Sequence, residues 1–282
     1  MPGDNFKPII WAGEILAAYK TRHVYGLVAN SDYEGEIRAA GDTVLINSVS
    51  DPTVRAYTGV DIASPDEPNG GQIPLLIDQA DYVNFMVDKV DEVQGKPDRL
   101  REIASRAAFR MAQAADLYMA GKYTLVGAAN LVGTDGSPIV PTADTLYEYL
   151  IDMGVILDEN DVPEDGRFVV LPPWCRGLLQ KDDRFANFGT DANHAFVRGT
   201  PVKMIDRMAV YISNNVPNTT GTLYKIIAGH PDAWTFANQL PADSLTTYTP
   251  EKRFGSAMKG LHLYGGQVIR PYALAVATFN KV

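Results

Sequence analysis

Side chains able to do chemistry are few in this sequence, and their spacing works against a reaction. His23, His194, His230 and His262 stand far apart, with no His-x-His or His-Glu-x-x-His spacing for zinc. Each reads as a structural or surface histidine. Cys175 lies beside Pro173 and Trp174 and has only Arg176 nearby to lower its pKa. A small buried thiol is the better reading than a nucleophile. The run Asp158-Glu159-Asn160-Asp161, with Glu164 and Asp165, offers oxygen ligands. It lacks the spacing and the sixth-position glycine of a calcium hand, so it reads as a solvated turn. There is no Gly-x-Ser-x-Gly elbow, no phosphate-cradling Gly-x-x-x-x-Gly-Lys and no Gly-x-Gly-x-x-Gly. The chain is therefore expected not to be an enzyme, with no cofactor and no metal.

Arg99, Arg106 and Arg110 form a different kind of constellation. At 100° per residue they fall within about 40° of each other on one side of a helix. Such a stripe can contact phosphate, although a solvated or ion-paired face is the commoner outcome. The helix that would carry them runs from Pro97 to Ala120, roughly 36 Å at 1.5 Å per residue. Pro97 suits a first helical position, Asp98 suits the positive end of the dipole, and Gly121 suits a left-handed C-terminal cap. Leu100, Ala104, Ala107, Met111, Ala114, Ala115 and Tyr118 recur at three- and four-residue steps and are expected to share the buried side.

The rest of the chain is arranged around that helix in mixed α+β order. Ile9, Ile10, Ala12, Ile15, Leu16 and Tyr19 predict a short amphipathic helix, and Val24 to Val28 an extended piece. Thr43 to Ile46 and Tyr82 to Val87 predict two strands. Between them Pro52, Gly59, Pro65, Pro68, Gly70 and Gly71 interrupt an excursion kept wet by Asp51, Asp61, Asp66 and Glu67. Such a ribbon buries little by itself, and loops of this length are usually functional. It is expected to find its partner surface on another chain. Beyond Thr142, a plausible cap, Leu146, Tyr149, Leu150 and Met153 predict a helix. Phe168 to Leu171 reads as a buried strand, Trp174 to Leu179 as a short helix, and 202–205, 208–212 and 223–227 as strands. Pro231 to Asn238 reads as a helical turn, and 267–277 as a strand pair or a bent strand broken at Pro271.

Composition narrows the class. The 282 residues are 46% apolar, enough for a large core, and no run approaches the roughly 18 apolar residues of a membrane span. The start, Met1-Pro2-Gly3-Asp4-Asn5, lacks the pattern of a secretory signal, and a single cysteine fits a reducing compartment. A net charge of −9 argues against a dedicated nucleic-acid binder. That charge is local: residues 34–94 hold 12 acidic and 3 basic side chains, a balance of −9, and the remainder is neutral.

Asn30-x-Asp32-Tyr33-Glu34-Gly35-Glu36-Ile37, followed by Gly41-Asp42-Thr43-Val44 with Ile46, resembles the entry to the extended loop of tailed-bacteriophage major capsid proteins. The long helix after the loop corresponds in order to that family's spine helix. Ser213-Asn214-Asn215-Val216-Pro217 is similar to its axial-domain strand end. Tyr264-Gly265-Gly266-Gln267-Val268 with Pro271-x-Ala273-Leu274-Ala275-Val276 is similar to its last peripheral strand. Together the matches span nearly the whole chain.

The resemblance implies the Hong-Kong-97-type fold and a shell subunit that tiles as pentamers and hexamers around double-stranded DNA. It implies an N-terminal arm (1–33), an extended loop (34–93), a peripheral domain with the spine helix (94–140, completed by 242–282) and an axial domain (141–241). It further implies a separate scaffolding protein and a portal, DNA touched non-specifically, no membrane, and residence in a virion assembled in the host bacterial cytoplasm. Asp61, Asp66 and Glu67 near the loop tip, and Arg99, Arg106 and Arg110 on the helix, become candidate inter-subunit residues. No lysine lies between Glu36 and Asp88, so the loop-lysine isopeptide cross-link of some relatives is expected to be absent. Encapsulin shells share this fold and are the alternative; a soluble enzyme is the remote one.

Overall fold

A computed structural model describes residues 24–32, 43–48, 54–56, 64, 71–88, 98–182, 204–239, 246–252 and 255–281. The expected helix over 9–19, His23, His194, and the loop-tip residues Asp61, Asp66 and Glu67 lie outside them. In chain order the strands are β1 (Thr43–Ser48), β2 (Gly71–Leu76), β3 (Gln79–Asp88), β4 (Leu131–Val132), β5 (Phe168–Leu171), β6 (Met204–Ile205), β7 (Met208–Ile212), β8 (Asn218–Thr219), β9 (Leu223–Gly229), β10 (Trp234–Gln239), β11 (Thr246–Tyr248), β12 (Gly255–Val268) and β13 (Leu274–Asn280). The α-helices are α1 (Asp98–Gly121), α2 (Leu146–Glu159) and α3 (Pro173–Leu179).

The long helix forms where its apolar period placed it. Its C-terminus differs from expectation: Gly121 is helical, with φ −62°, and the chain tightens into a 3-10 turn over Lys122–Leu125 instead of capping left-handed. Continuing into a tighter helix occupies the last carbonyls without a positive φ. The buried face is also one step round from the expected one. Ala108, Met111, Ala112, Ala115, Asp116, Met119 and Ala120 are buried, and Ala107, Ala114 and Tyr118 sit at its border. The helix serves two neighbours at once, the β12 sheet and the segment around Tyr25, and the stripe turns to face both.

β12 is the strand this half of the molecule is built on. It pairs antiparallel with β3 along ten residues, from Gly255↔Asp88 to Tyr264↔Gln79, and with β10 and β11 on its other side. This corrects the two-strand ribbon expected from residues 43–46 and 82–87. The partner of β1 is β2, in register Thr43↔Leu76 to Ser48↔Gly71. Val44, Ile46, Leu75 and Ile77 form a small core with Ala237 and Leu263. The ribbon thus seats one face on its own chain, because alternation in β1 leaves one apolar row facing inward.

The second module is a mixed sheet in the order β4-β13-β9-β5-β7-β6, with β8 on β9. α2 packs on β13 and β9 and buries Leu146, Leu150, Met153 and Leu157. It starts at Leu146 instead of directly after Thr142, since Thr142 and Thr145 form a turn whose hydroxyls bond each other and whose Thr142 carbonyl accepts from Leu146 N–H at 3.1 Å. Residues 231–238 are only briefly helical, over Pro231–Ala233. Trp234 and Phe236 continue as strand because both are buried, with Phe168 stacked on Trp234 at 5.6 Å. Residues 24–28 are a turn, not a strand: Leu27 and Val28 N–H donate to the Val24 carbonyl at 3.2 and 3.3 Å. No helix among the described residues is long and apolar enough to cross a membrane.

Candidate assembly site

Those residues singled out for chemistry that the structure describes are packed or paired within the fold. Cys175 is fully buried, and burial pushes its thiol well above the ordinary range. His230 lies within 3.0 Å of the Asp165 carbonyl, and its Nδ1 accepts from Asp232 N–H at 3.2 Å. Buried His262 holds Asn238 Oδ1 at 2.8 Å and stacks on Tyr264 at 4.7 Å. The acidic run is a braced turn: buried Arg167 pairs with Asp158 at 2.7 Å, and Arg207 pairs with Glu164. Among the described residues no three His, Cys, Asp or Glu side chains gather to hold a metal. Arg106 and Arg110 are exposed on α1, and Arg110 Nη1 donates to Gln113 Oε1 at 2.9 Å. Arg99 falls in the first turns of the same helix. The structure leaves Arg106 and Arg110 on the outer surface, flanked by partly exposed Phe109 and Leu117.

What the structure does bring together is the root of the ribbon. Between β2 and β3 the chain bends at Ile77-Asp78. Tyr118 Oη of α1 donates to Asp78 Oδ1 at 2.8 Å, and Tyr264 Oη of β12 donates to Asp81 Oδ2 at 2.7 Å. The two rings meet edge to face, 5.4 Å between centroids. Lys122 Nζ sits 4.4 Å over the Tyr118 ring, and burial lowers its pKa against the opposing pull of Asp78. Gly265 and Gly266 let three layers close here. A Cβ on Gly265 would overlap the Leu76 carbonyl oxygen and crowd Ile77, and one on Gly266 would overlap the Met119 sulfur. The double glycine was visible in the sequence; the tyrosine–aspartate bonds across 40 and 183 positions were not.

Burial and then the neighbouring aspartates raise both tyrosine pKa values above the usual 10. A group whose folded pKa is raised keeps its stabilising contribution below the unfolded pKa and loses it as pH climbs toward the folded one. Subunit stability in urea should therefore fall as pH rises past about 10, where the unfolded tyrosines ionise first. A Tyr118→Phe/Tyr264→Phe double variant should show a shallower alkaline slope; an unchanged slope would remove these tyrosines from the account.

A second joint lies deeper. Asp116 is fully buried in α1 and accepts from Val24 N–H at 3.1 and 3.0 Å, from Tyr25 N–H at 3.0 Å and from Asn215 Nδ2 at 3.2 Å. One carboxylate thus ties the N-terminal segment, the long helix and the Ser213–Pro217 turn of the second module. Tyr25 lies edge-on to Trp234 at 6.1 Å, and Trp234 Nε1 donates to the Val28 carbonyl at 3.2 Å. Asp116 escaped the sequence reading because a lone acid in an alanine-rich stripe looks like interruption of the stripe.

The ribbon projecting from this joint has a wet apolar face. Leu45 (54% exposed), Pro74 and Leu76 (48% exposed) point away from the inner core on the paired strands. An apolar outer row on a two-stranded ribbon, a long helix backing an antiparallel sheet and a second sheet module tied on by its core together define the Hong-Kong-97-type capsid class. Solved shells agree. Mycobacterium phage Che8 matches with TM-score 0.73 at 26% identity, covering 90% of each chain. The capsid of Ralstonia phage GP4 matches with TM-score 0.64 at 12% identity, covering 94% of this chain and 91% of that one. The SrpI encapsulin of Synechococcus elongatus PCC 7942 shares the fold, with TM-score 0.54 at 16% identity over 86% and 84% of the two chains. No curated protein matches the sequence. The model of the phage capsid protein family matches residues 78–277, so the chain belongs to that family: it is a major capsid protein that self-assembles into a shell.

Proposed function

We propose that this subunit tiles as pentamers and hexamers into an icosahedral shell around double-stranded DNA, touched non-specifically, and that it has no enzymatic activity. The observation that carries the assembly mode is the ribbon's outer row of Leu45, Pro74 and Leu76, left in water by its own chain. Apolar rows of this kind are covered at obligate interfaces. In this reading residues 34–93 form an extended loop laid over a neighbour's peripheral domain (94–140 and 242–282). Residues 1–33 form an arm, and 141–241 an axial domain facing the capsomer centre. A separate scaffolding protein and portal take part, in the host bacterial cytoplasm. Negative-stain imaging of the protein expressed with its scaffold should show closed shells or rings; a monomer across all salt and protein concentrations would overturn the reading.

Charge supports where the loop lands. Residues 34–94 carry −9, whereas 96–122 hold six basic and three acidic side chains, +3. Opposite fields steer docking and fix register more than they add affinity. We assign Asp61, Asp66 and Glu67 to meet basic groups on the adjacent subunit, Arg99, Arg106 and Arg110 among them. Exposed pairs are worth at most about 1 kcal/mol each, so a single change should do little. Converting all three acids to lysine should slow assembly, most at low salt, with the subunit's melting temperature unchanged. Wild-type assembly kinetics at low salt would mean that the loop docks by shape and apolar contact alone.

A further inference from the structure

Among the described residues the two larger sheets end in two different ways. At the margins of the seven-stranded sheet stand β4 and β6, two residues each, and Ile139 adds a bridge to Phe279 beside β4. On one side of β12 the margin is shared by β10 and the three-residue β11. On the other side stands β3, ten residues long and paired with β12 alone among the described strands. In an antiparallel ladder alternate residues turn both N–H and C=O away from the partner. Half of β3 therefore presents donors and acceptors to the outside.

Soluble proteins blunt such edges with proline, lysine, glycine bulges or short strands. β3 reads Gln-Ala-Asp-Tyr-Val-Asn-Phe-Met-Val-Asp, with none of those residues, and its register with β12 runs without a bulge. Its charge is at Asp81, already held by the Tyr264 hydroxyl, and at the terminal Asp88. Beside the edge, Tyr82 is 77% exposed directly across from partly exposed Leu261. Strand-forming residues, an unblocked ladder and an apolar shoulder are the components of strand addition.

We infer that the edge of β3 away from β12, which no described strand pairs, receives a strand from a second copy of this chain, continuing the β12 sheet across a subunit boundary. A second copy is the occupant because the family self-assembles, and a shell of one repeated chain sets a neighbouring copy beside every β3. The inference rests on the assembly reading but not on the ribbon's docking site. It places a main-chain contact at the edge of the β12 sheet.

Hydrogen exchange on wild-type protein tests it. Alternate amides of residues 79–88 should exchange quickly in the free subunit and slow by at least ~100-fold in assembled shells. Unchanged exchange at those amides in intact shells would overturn the inference while leaving shell formation standing. Protection of the unassembled subunit on adding the scaffolding protein, before any shell forms, would overturn it too, by giving the edge a different occupant. Proline placed singly at neighbouring positions supplies the second test, because adjacent N–H groups point to opposite sides of the strand. Of Tyr82→Pro and Val83→Pro, one removes a bond to β12 and lowers subunit stability. The other removes only an outward donor and sets a ring against the incoming strand. That variant should keep the melting temperature of its alanine counterpart yet lose at least ~tenfold in assembly yield. Assembly of the stable proline variant at the alanine variant's yield would rule out strand addition.

Discussion

Asp116→Ala is expected to cost the subunit about 3–5 kcal/mol, enough to consume a large part of a typical folding free energy. The carboxylate is fully buried and receives two backbone N–H groups and an asparagine amide. Hydrogen bonds to a charged acceptor are worth about 1.5–3 kcal/mol each, and donors left behind without partners carry their own desolvation penalty. Alanine removes the acceptor and strands the Val24 and Tyr25 donors beside the Trp234 core. Asp116→Asn keeps the shape but turns one acceptor into a donor facing other donors, so it should recover only part of the loss. Urea unfolding of the free subunit measures both. The ties also make a local prediction: in Asp116→Ala the amides of Val24 and Tyr25 should exchange faster than the rest of the core. A variant within about 1 kcal/mol of wild type would show that residues 24–30 hold by their other ties to β10, the Trp234 Nε1 bond to the Val28 carbonyl and the Asn30 backbone bonds among them.

Gly265→Ala is expected to have the next largest effect, about 2–3 kcal/mol of destabilisation together with a displaced ribbon. The added methyl would meet the Leu76 carbonyl oxygen and the Ile77 backbone, neither of which can rotate away as a side chain can. The bend between β2 and β3 must shift, and with it the Tyr118–Asp78 bond and the seat of Val44, Ile46 and Leu75 on Leu263. Gly266→Ala meets the flexible Met119 side chain instead and should cost less. The pair separates backbone from side-chain crowding at adjacent residues. Denaturant midpoints should rank wild type, Gly266→Ala, Gly265→Ala, and assembly should fall in the same order. The reverse order would mean that Met119 is the more rigid neighbour and the bend the more compliant.

Local patterning was legible from the chain. The 3.6-residue recurrence between residues 98 and 121 specified α1 to within a residue of its ends, and the apolar run Phe168–Leu171 specified a strand buried on both faces. The ordered motifs resemble those of a phage shell subunit, and the chain belongs to that family. These readings succeed because period, composition and motif order are properties of neighbours in sequence. Strand partners are not. Sequence pattern alone joins 43–46 and 82–87 in one ribbon, yet β1 closes on β2 and β3 crosses to β12, far later in the chain. Which strands pair is settled by where Gly265 lets the β2–β3 bend approach and by which apolar row finds Ala237 and Leu263. Asp116 makes the same point for a single side chain. Its spacing placed it on a helix, but only the folded chain delivers Val24, Tyr25 and Asn215 to its oxygens, because a buried charge is tolerable where distant donors converge on it.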